Sequence, residues 1–169
     1  MATARRFRLN RKLIVVTLAV ACTAGIGVLF AHKAQVSATV ERSRVIGLTA
    51  ARIHDWHEAV AHLKLYLQHH PRDKEALAAC ANALAEGYDE RENAFNLNEK
   101  ILEIDHYDHD ARRQFVNLAL DLGKTEVAVS NSRILAERFP GDGEATFLAG
   151  RTAEADSSFI DAIRRYQQT

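Results

Sequence analysis

The chain reads as an all-α solenoid of about 3.5 helix-turn-helix units, preceded by one N-terminal apolar helix. Three observations predict this. Similar phrases recur: Ala59, Leu63, Tyr66, Pro71; then Ala94, Asn98, Ile101, His106; then Ala128, Ser132, Leu135, Pro140; and a fourth opens with Ala162 and Tyr166. From alanine to alanine the steps are 35, 34 and 34 residues. A fixed period in this range marks a repeat array, in which no unit buries its apolar face without a neighbour. Strand signals are missing, with neither sustained two-residue alternation nor an Asn-Gly turn. Finally, Leu13 to Phe30 is an 18-residue run without a charge.

That run defines the first element. A helix rising about 1.5 Å per residue crosses a bilayer with roughly 20 residues, the lower limit being near 17. Extended by Ala31, the segment 13–31 meets the limit, after a basic stretch 1–12 holding Arg5, Arg6, Arg8, Arg11 and Lys12. Only His32 and Lys33 follow closely, at the start of a linker 32–39. Positive flanks stay in the cytoplasm, which predicts a single-pass signal anchor with its N-terminus inside and the repeats outside, in the periplasm if the source is bacterial. A cleaved signal peptide fits less well, because its apolar core is usually about 7 to 15 residues. A lipidated Cys22 would need polar residues where apolar ones continue, and Phe7 follows Arg5-Arg6 too soon for a twin-arginine signal.

The repeat region is 40–169, with units at about 40–73, 74–108, 109–142 and a truncated 143–169. First helices are marked by apolar and small residues three or four apart: Ile46, Gly47, Ala50; Leu77, Cys80, Ala81, Leu84; Phe115, Val116, Ala119; Ala149, Gly150, Ala153. The small residues Gly47, Ala81 and Gly150 let a hairpin's two helices approach closely, as do Ala59, Ala94, Ala128 and Ala162 from the second helix. Asp55 with Glu58, Asp89 with Glu92 and Ser158 with Asp161 read as capping pairs. Pro71 and Pro140 stop second helices, and Gly123 occupies the turn within the third unit.

From Val40 to Thr169 the chain resembles the tetratricopeptide repeat family. The wording is closest in the second unit, from Asn93-Ala94 to Asn98-Glu99-Lys100-Ile101-Leu102-Glu103-Ile104-Asp105. His106 stands where the family usually has proline, Asn98 and Ser132 replace a large apolar residue so that looser packing is expected there, and one extra residue falls near Gly87 to Arg91 as a longer turn. The resemblance implies a right-handed stack of antiparallel helix pairs whose concave face is lined by first helices.

Composition narrows the function. The 22 basic and 22 acidic residues balance, but without the five basic residues before Leu13 the count is 17 against 22. A mildly acidic repeat region lacks the basic stripe that nucleic acid requires. Cys22 and Cys80 cannot pair, and Cys80 reads as a small core residue. Eight histidines include His54, His57, His62, His69, His70, His106 and His109, yet no HExxH or CxxC pattern accompanies them, so no metal or cofactor is expected. Neither a Gly-rich phosphate loop nor a nucleophile elbow is present, and no enzymatic role is expected.

The outward residues of successive first helices are Arg44 and Leu48, Ala78 and Asn82, Arg113 and Asn117, Phe147 and Arg151. Asn82 and Asn117 share a register, and an amide there both donates to and accepts from a peptide backbone. Arg44, Arg113 and Arg151 add charge-assisted donors for a carboxylate. Together these five residues form the expected peptide-binding set, with only partial resemblance to the carboxylate clamp of chaperone-binding repeats, since Leu48 replaces an asparagine and no lysine accompanies Arg113. The expected role is a membrane-anchored scaffold holding a protein or peptide in its groove. The alternatives are the front segment of a longer enzyme or secretion component, or a cleaved secreted form. The last helix lacks a polar cap before Thr169, which suggests self-association as a further partner mode.

Overall fold

The computed structural model describes residues 35–156. The predicted anchor 13–31, Cys22, the pair Ser158 and Asp161, and the fourth phrase at Ala162 and Tyr166 lie outside the described residues. The chain divides into two units, Met1–Thr39 and Val40–Thr169, and of the first only the helical residues 35–39 are described. Among the described residues there are seven helices and no strand. They are α1 (35–52), α2 (Trp56–Leu67), α3 (Lys74–Gly87), α4 (Arg91–Ile104), α5 (His109–Asp121), α6 (Thr125–Arg138) and α7 (Gly143–Ala155). Each helix from α3 onward packs on the one before it, and α5 also meets α7, as expected when hairpins stack in sequence.

The repeated phrases are the core. Ala59, Ala94 and Ala128 are fully buried, as are Leu63, four residues after the first of them, and Ile101 and Leu135, seven residues after the second and third. First helices answer with Val40, Ser43, Gly47 and Ala50 on α1 and with Leu77, Cys80, Ala81 and Leu84 on α3. Removing one such leucine from water stabilises the fold by roughly 1.5–3 kcal/mol. The small residue at position 47 is required: a Cβ built there would lie 2.7 Å from Leu63 Cγ and 3.1 Å from Leu63 N. Stacked rings of Phe95 and Phe115, with centroids 4.3 Å apart, join α4 to α5.

The two polar substitutions in the core are accommodated by hydrogen bonds. Ser132 Oγ lies 2.8 Å from Thr152 Oγ1, tying α6 to α7, and both are buried. Asn98 Nδ2 donates to Ala94 O at 3.0 Å within its own helix, while its Oδ1 has no partner among the described residues. Both side chains are fully buried; the polar group is better satisfied at Ser132 than at Asn98.

Turns within the hairpins share one backbone device. His54 (φ 61°), Asp89 (φ 55°) and Gly123 (φ 69°) each sit two residues before the second helix, in the left-handed region. A backbone bond closes each turn, from Asp55 N–H to Ala50 O, Glu90 N–H to Leu84 O and Lys124 N–H to Ala119 O. The middle bond spans one residue more than the others, which is where the extra residue of the second unit goes. This corrects the capping pair expected at Asp89 and Glu92. Asp89 belongs to the turn and pairs with Arg91 Nη2 at 3.0 Å, and Glu90 occupies the N-cap without a side-chain cap bond. The Asp55 cap is present, accepting from Glu58 N–H at 3.2 Å. Pro140 follows the end of α6 closely, but α2 has already ended at Leu67 before Pro71.

Between hairpins, Asp73, Asp108 and Asp142 cap α3, α5 and α7. A donor from the preceding first helix reaches each of them: Arg44 Nε to Asp73 Oδ2 at 2.8 Å, Lys74 Nζ to Asp108 Oδ2 at 2.9 Å, and His109 Nε2 with Asp142 Oδ2 at 2.7 Å. One aspartate per junction therefore serves as both helix cap and inter-repeat strap.

Candidate functional site

The face shared by α1, α3, α5 and α7 carries the residues expected to meet a peptide, and all of them are half-buried or exposed. Their partners differ. Arg44 is held by Asp73 and by Glu75 Oε2 at 2.7 Å. Arg113 donates to Glu144 and lies 3.6 Å from Asp110 Oδ1. Arg151 Nη1 donates to Asn117 Oδ1 at 3.0 Å. Apart from the contact of Arg113 with Asp110 in its own helix, these bonds run between neighbouring first helices. Asn82 makes no side-chain hydrogen bond among the described residues and lines a cleft of about 450 Å³.

The junction charges are tuned by these contacts. Burial opposes ionisation of Asp73, but hydrogen bonds from Arg44, the Ala76 N–H and Tyr66 outweigh it and hold the carboxyl below its ordinary range. Asp108 behaves likewise: burial is overcome by Lys74 and the Ala111 N–H. At Asp142 the same balance is struck by His109 and the N–H groups of Glu144 and Ala145. Burial pushes the Cys80 thiol up to about 11, which keeps it protonated and inert.

Sequence patterns did not mark the cleft. It lies between α1, the turn into α2, and α3, with Leu48, Ala51 and Ala79 as apolar lining and Trp56 beside them. The His54 ring stacks on Trp56 with centroids 4.8 Å apart and planes 14° from parallel. Gly87 makes room for the indole, since a Cβ there would fall 2.4 Å from Trp56 Cβ. Arg52, Glu75 and Glu86 complete the polar rim. Leu48 and Asn82 were legible as outward residues of first helices, but the lone tryptophan next to a turn, which completes the cleft, is a signal that periodicity does not register.

Arg112 is a second feature missed by pattern reading. It is buried on α5, donates to Asn131 Oδ1 at 2.6 Å and to His106 O at 2.5 Å, and has no carboxylate partner among the described residues. Burial, with help from nearby Arg138, lowers its proton affinity. The histidines are dispersed into local roles: His57 with Tyr88 Oη at 2.7 Å, His62 with Glu58 at 3.1 Å, and His70 stacked on Tyr66. Among the described residues no three His, Cys, Asp or Glu side chains converge to hold a metal ion.

No protein-family model matches the chain, and no curated protein matches it. Solved structures do. The chain is similar to the RS-1 ArsTM double mutant of MamA at 22% identity, with a TM-score of 0.69 over 77% of this chain and 72% of that one. MamA 41-end from Desulfovibrio magneticus RS-1 gives 22% identity and 0.69 over 77% and 73%, and a crystal structure of MamA gives 19% and 0.69 over 76% and 75%. The fold is a TPR-type helical repeat. At this level of identity the likeness speaks for architecture alone.

Proposed function

We propose that the chain is a non-enzymatic tetratricopeptide repeat scaffold that holds a polypeptide against the face of its first helices. The stack is right-handed, and the apolar segment 13–31 tethers it to a membrane with the repeats on the extracytoplasmic side. The observation that carries the binding role is the cleft of about 450 Å³ beside Asn82, which combines apolar lining with polar groups that have no partner among the described residues. Pockets of this kind bind by apolar contact and are made selective by a few placed polar atoms. The tether is supported by the 18-residue uncharged run and the basic residues before it. Among the described residues no helix is long and apolar enough to cross a membrane.

Two experiments test this. Capture of a partner from envelope extracts, followed by hydrogen exchange, should protect α1, α3 and α5, and the double variant Asn82→Ala, Asn117→Ala should weaken capture. Protection confined to α2, α4 and α6, with unchanged capture by the double variant, would remove the groove. Protease added to intact cells should digest the repeats, whereas digestion from the cytoplasmic side alone reverses the topology.

A further inference from the structure

We propose that the cleft between α1 and α3 receives a basic side chain, arginine or lysine, of the bound polypeptide. This rests on the scaffold reading above and names the chemistry of its partner. The cleft offers what a long cationic side chain needs at both ends. Leu48, Ala79 and the Trp56 indole give an apolar wall for the methylene stem. At the rim, Glu86 has no ion pair or hydrogen bond among the described residues, one helical turn beyond the equally free Asn82 amide. A guanidinium or ammonium between them gains a carboxylate and an amide oxygen as acceptors.

The sign of the ligand follows from how the other charges are used. Glu75 gives one oxygen to Arg44 at 2.7 Å, while its second meets Arg52 at only 3.9 Å, beyond hydrogen-bond distance. The Arg52 side chain is 76% exposed, so an incoming cation displaces it from Glu75 with little loss. An acidic side chain would instead have to face Glu86 and Glu75, with exposed Arg52 as the one arginine or lysine in the lining. The wider field agrees: residues 40–156 hold 14 basic and 21 acidic side chains, a net charge of −7 that attracts cationic segments. The wall is pre-set, because the His54 stack and the bare Gly87 backbone fix the indole before any ligand arrives.

The chain has a single tryptophan, so Trp56 emission reports on this cleft alone. The probe is a set of capped nonapeptides of alanine and serine with arginine, lysine, glutamate or norleucine at the centre, titrated into the full chain and followed by fluorescence and calorimetry. Arginine and lysine peptides should shift the emission saturably. The Glu86→Gln variant, a surface change whose helicity is checked by circular dichroism, should weaken them roughly tenfold. Arg52→Ala should bind the same peptides at least as well as the parent. Equal binding of glutamate or norleucine peptides, or affinity unmoved by Glu86→Gln, overturns the basic specificity and leaves the scaffold standing. Binding seen by calorimetry with silent Trp56 emission moves the site elsewhere on the groove and overturns the assignment. Failure of every peptide to bind overturns the assignment, and the envelope-capture experiment then decides separately whether the scaffold reading survives.

Discussion

Replacing Asp73 by alanine should cost far more than replacing an ordinary helix cap. The carboxylate performs three tasks: Oδ1 accepts from the Ala76 N–H at 3.1 Å, and Oδ2 accepts from Tyr66 Oη at 2.9 Å and Arg44 Nε at 2.8 Å. A lost cap is worth about 1 kcal/mol. The bond from the mostly buried tyrosine adds about 1 kcal/mol. The arginine pair is partly solvated and Arg44 keeps Glu75, so its share is about 0.5 kcal/mol. Allowing for a shared acceptor oxygen, Asp73→Ala should destabilise by about 2–3 kcal/mol. Asp55→Ala is the internal control, since Asp55 caps α2 through the Glu58 N–H and has no inter-repeat strap; about 1 kcal/mol is expected there. Asp73→Asn keeps a competent cap and loses the charge, and should fall between the two. The assay is urea unfolding followed by far-UV circular dichroism, comparing midpoints at unchanged m. Equal losses for Asp73→Ala and Asp55→Ala would refute the strap, because the cap alone would then account for everything.

Four further outcomes follow from the same contacts. Asp73, Asp108 and Asp142 all have carboxyls depressed below the unfolded value of about 3.9, so their stabilisation is complete above that pH and is lost as pH falls through the lower folded values; acid unfolding should begin below about pH 4, and Asp142→Asn should flatten that limb. Gly123→Ala should destabilise by about 1 kcal/mol because of its φ of 69°, whereas Asp89→Gly at the equivalent place should stabilise by up to about 1 kcal/mol, less the contribution of its pair with Arg91; thermal midpoints moving the other way would deny the shared turn conformation. Gly47→Ala forces a Cβ against Leu63 and should cost about 1–2 kcal/mol in urea after the usual helix-propensity gain, and no loss would mean that the hairpin relaxes. Arg112→Leu, which leaves Asn131 Oδ1 and His106 O without their donor, should cost about 1–3 kcal/mol by the same unfolding assay.

The architecture was legible because burial repeats. Ala59, Ala94 and Ala128 are fully buried, and each lies where a 34- or 35-residue step puts it. A helix face records burial in the identity of every third or fourth residue, so period and register survive without any structure. The turns were only half legible. Gly123 announced its left-handed backbone, while His54 and Asp89 adopt the same conformation with side chains that do not advertise it, and the reading accordingly placed Asp89 as a cap. The residues expected to meet a peptide could not be sorted from the sequence into free and engaged members. Whether Arg151 meets Asn117 or solvent depends on a neighbour 34 residues away, and no local pattern encodes that distance. The cleft was invisible for a related reason: its wall joins Leu48, Trp56 and Ala79 from three helices.

This division between engaged and free groups bears on what the face can hold. An acidic or C-terminal ligand would draw on Arg44, Arg113 and Arg151, yet each already bonds to the next first helix, through Asp73 and Glu75, through Glu144, and through Asn117. Recruiting any of them breaks a junction contact, and the ligand must first offset that loss. Glu86 and Asn82 carry no such debt among the described residues. Groups spent on stacking the repeats therefore leave Glu86 and Asn82 free, as the proposed basic ligand requires. The consequence is measurable: Arg44→Gln should loosen the α1–α3 junction and lower the unfolding free energy in urea by about 1 kcal/mol, in line with losing two partly exposed ion pairs, while affinity for an arginine-centred peptide stays within about twofold. A variant that instead kept its full stability and lost peptide affinity would show Arg44 to be a ligand contact, and the assignment of engaged and free groups would have to be exchanged.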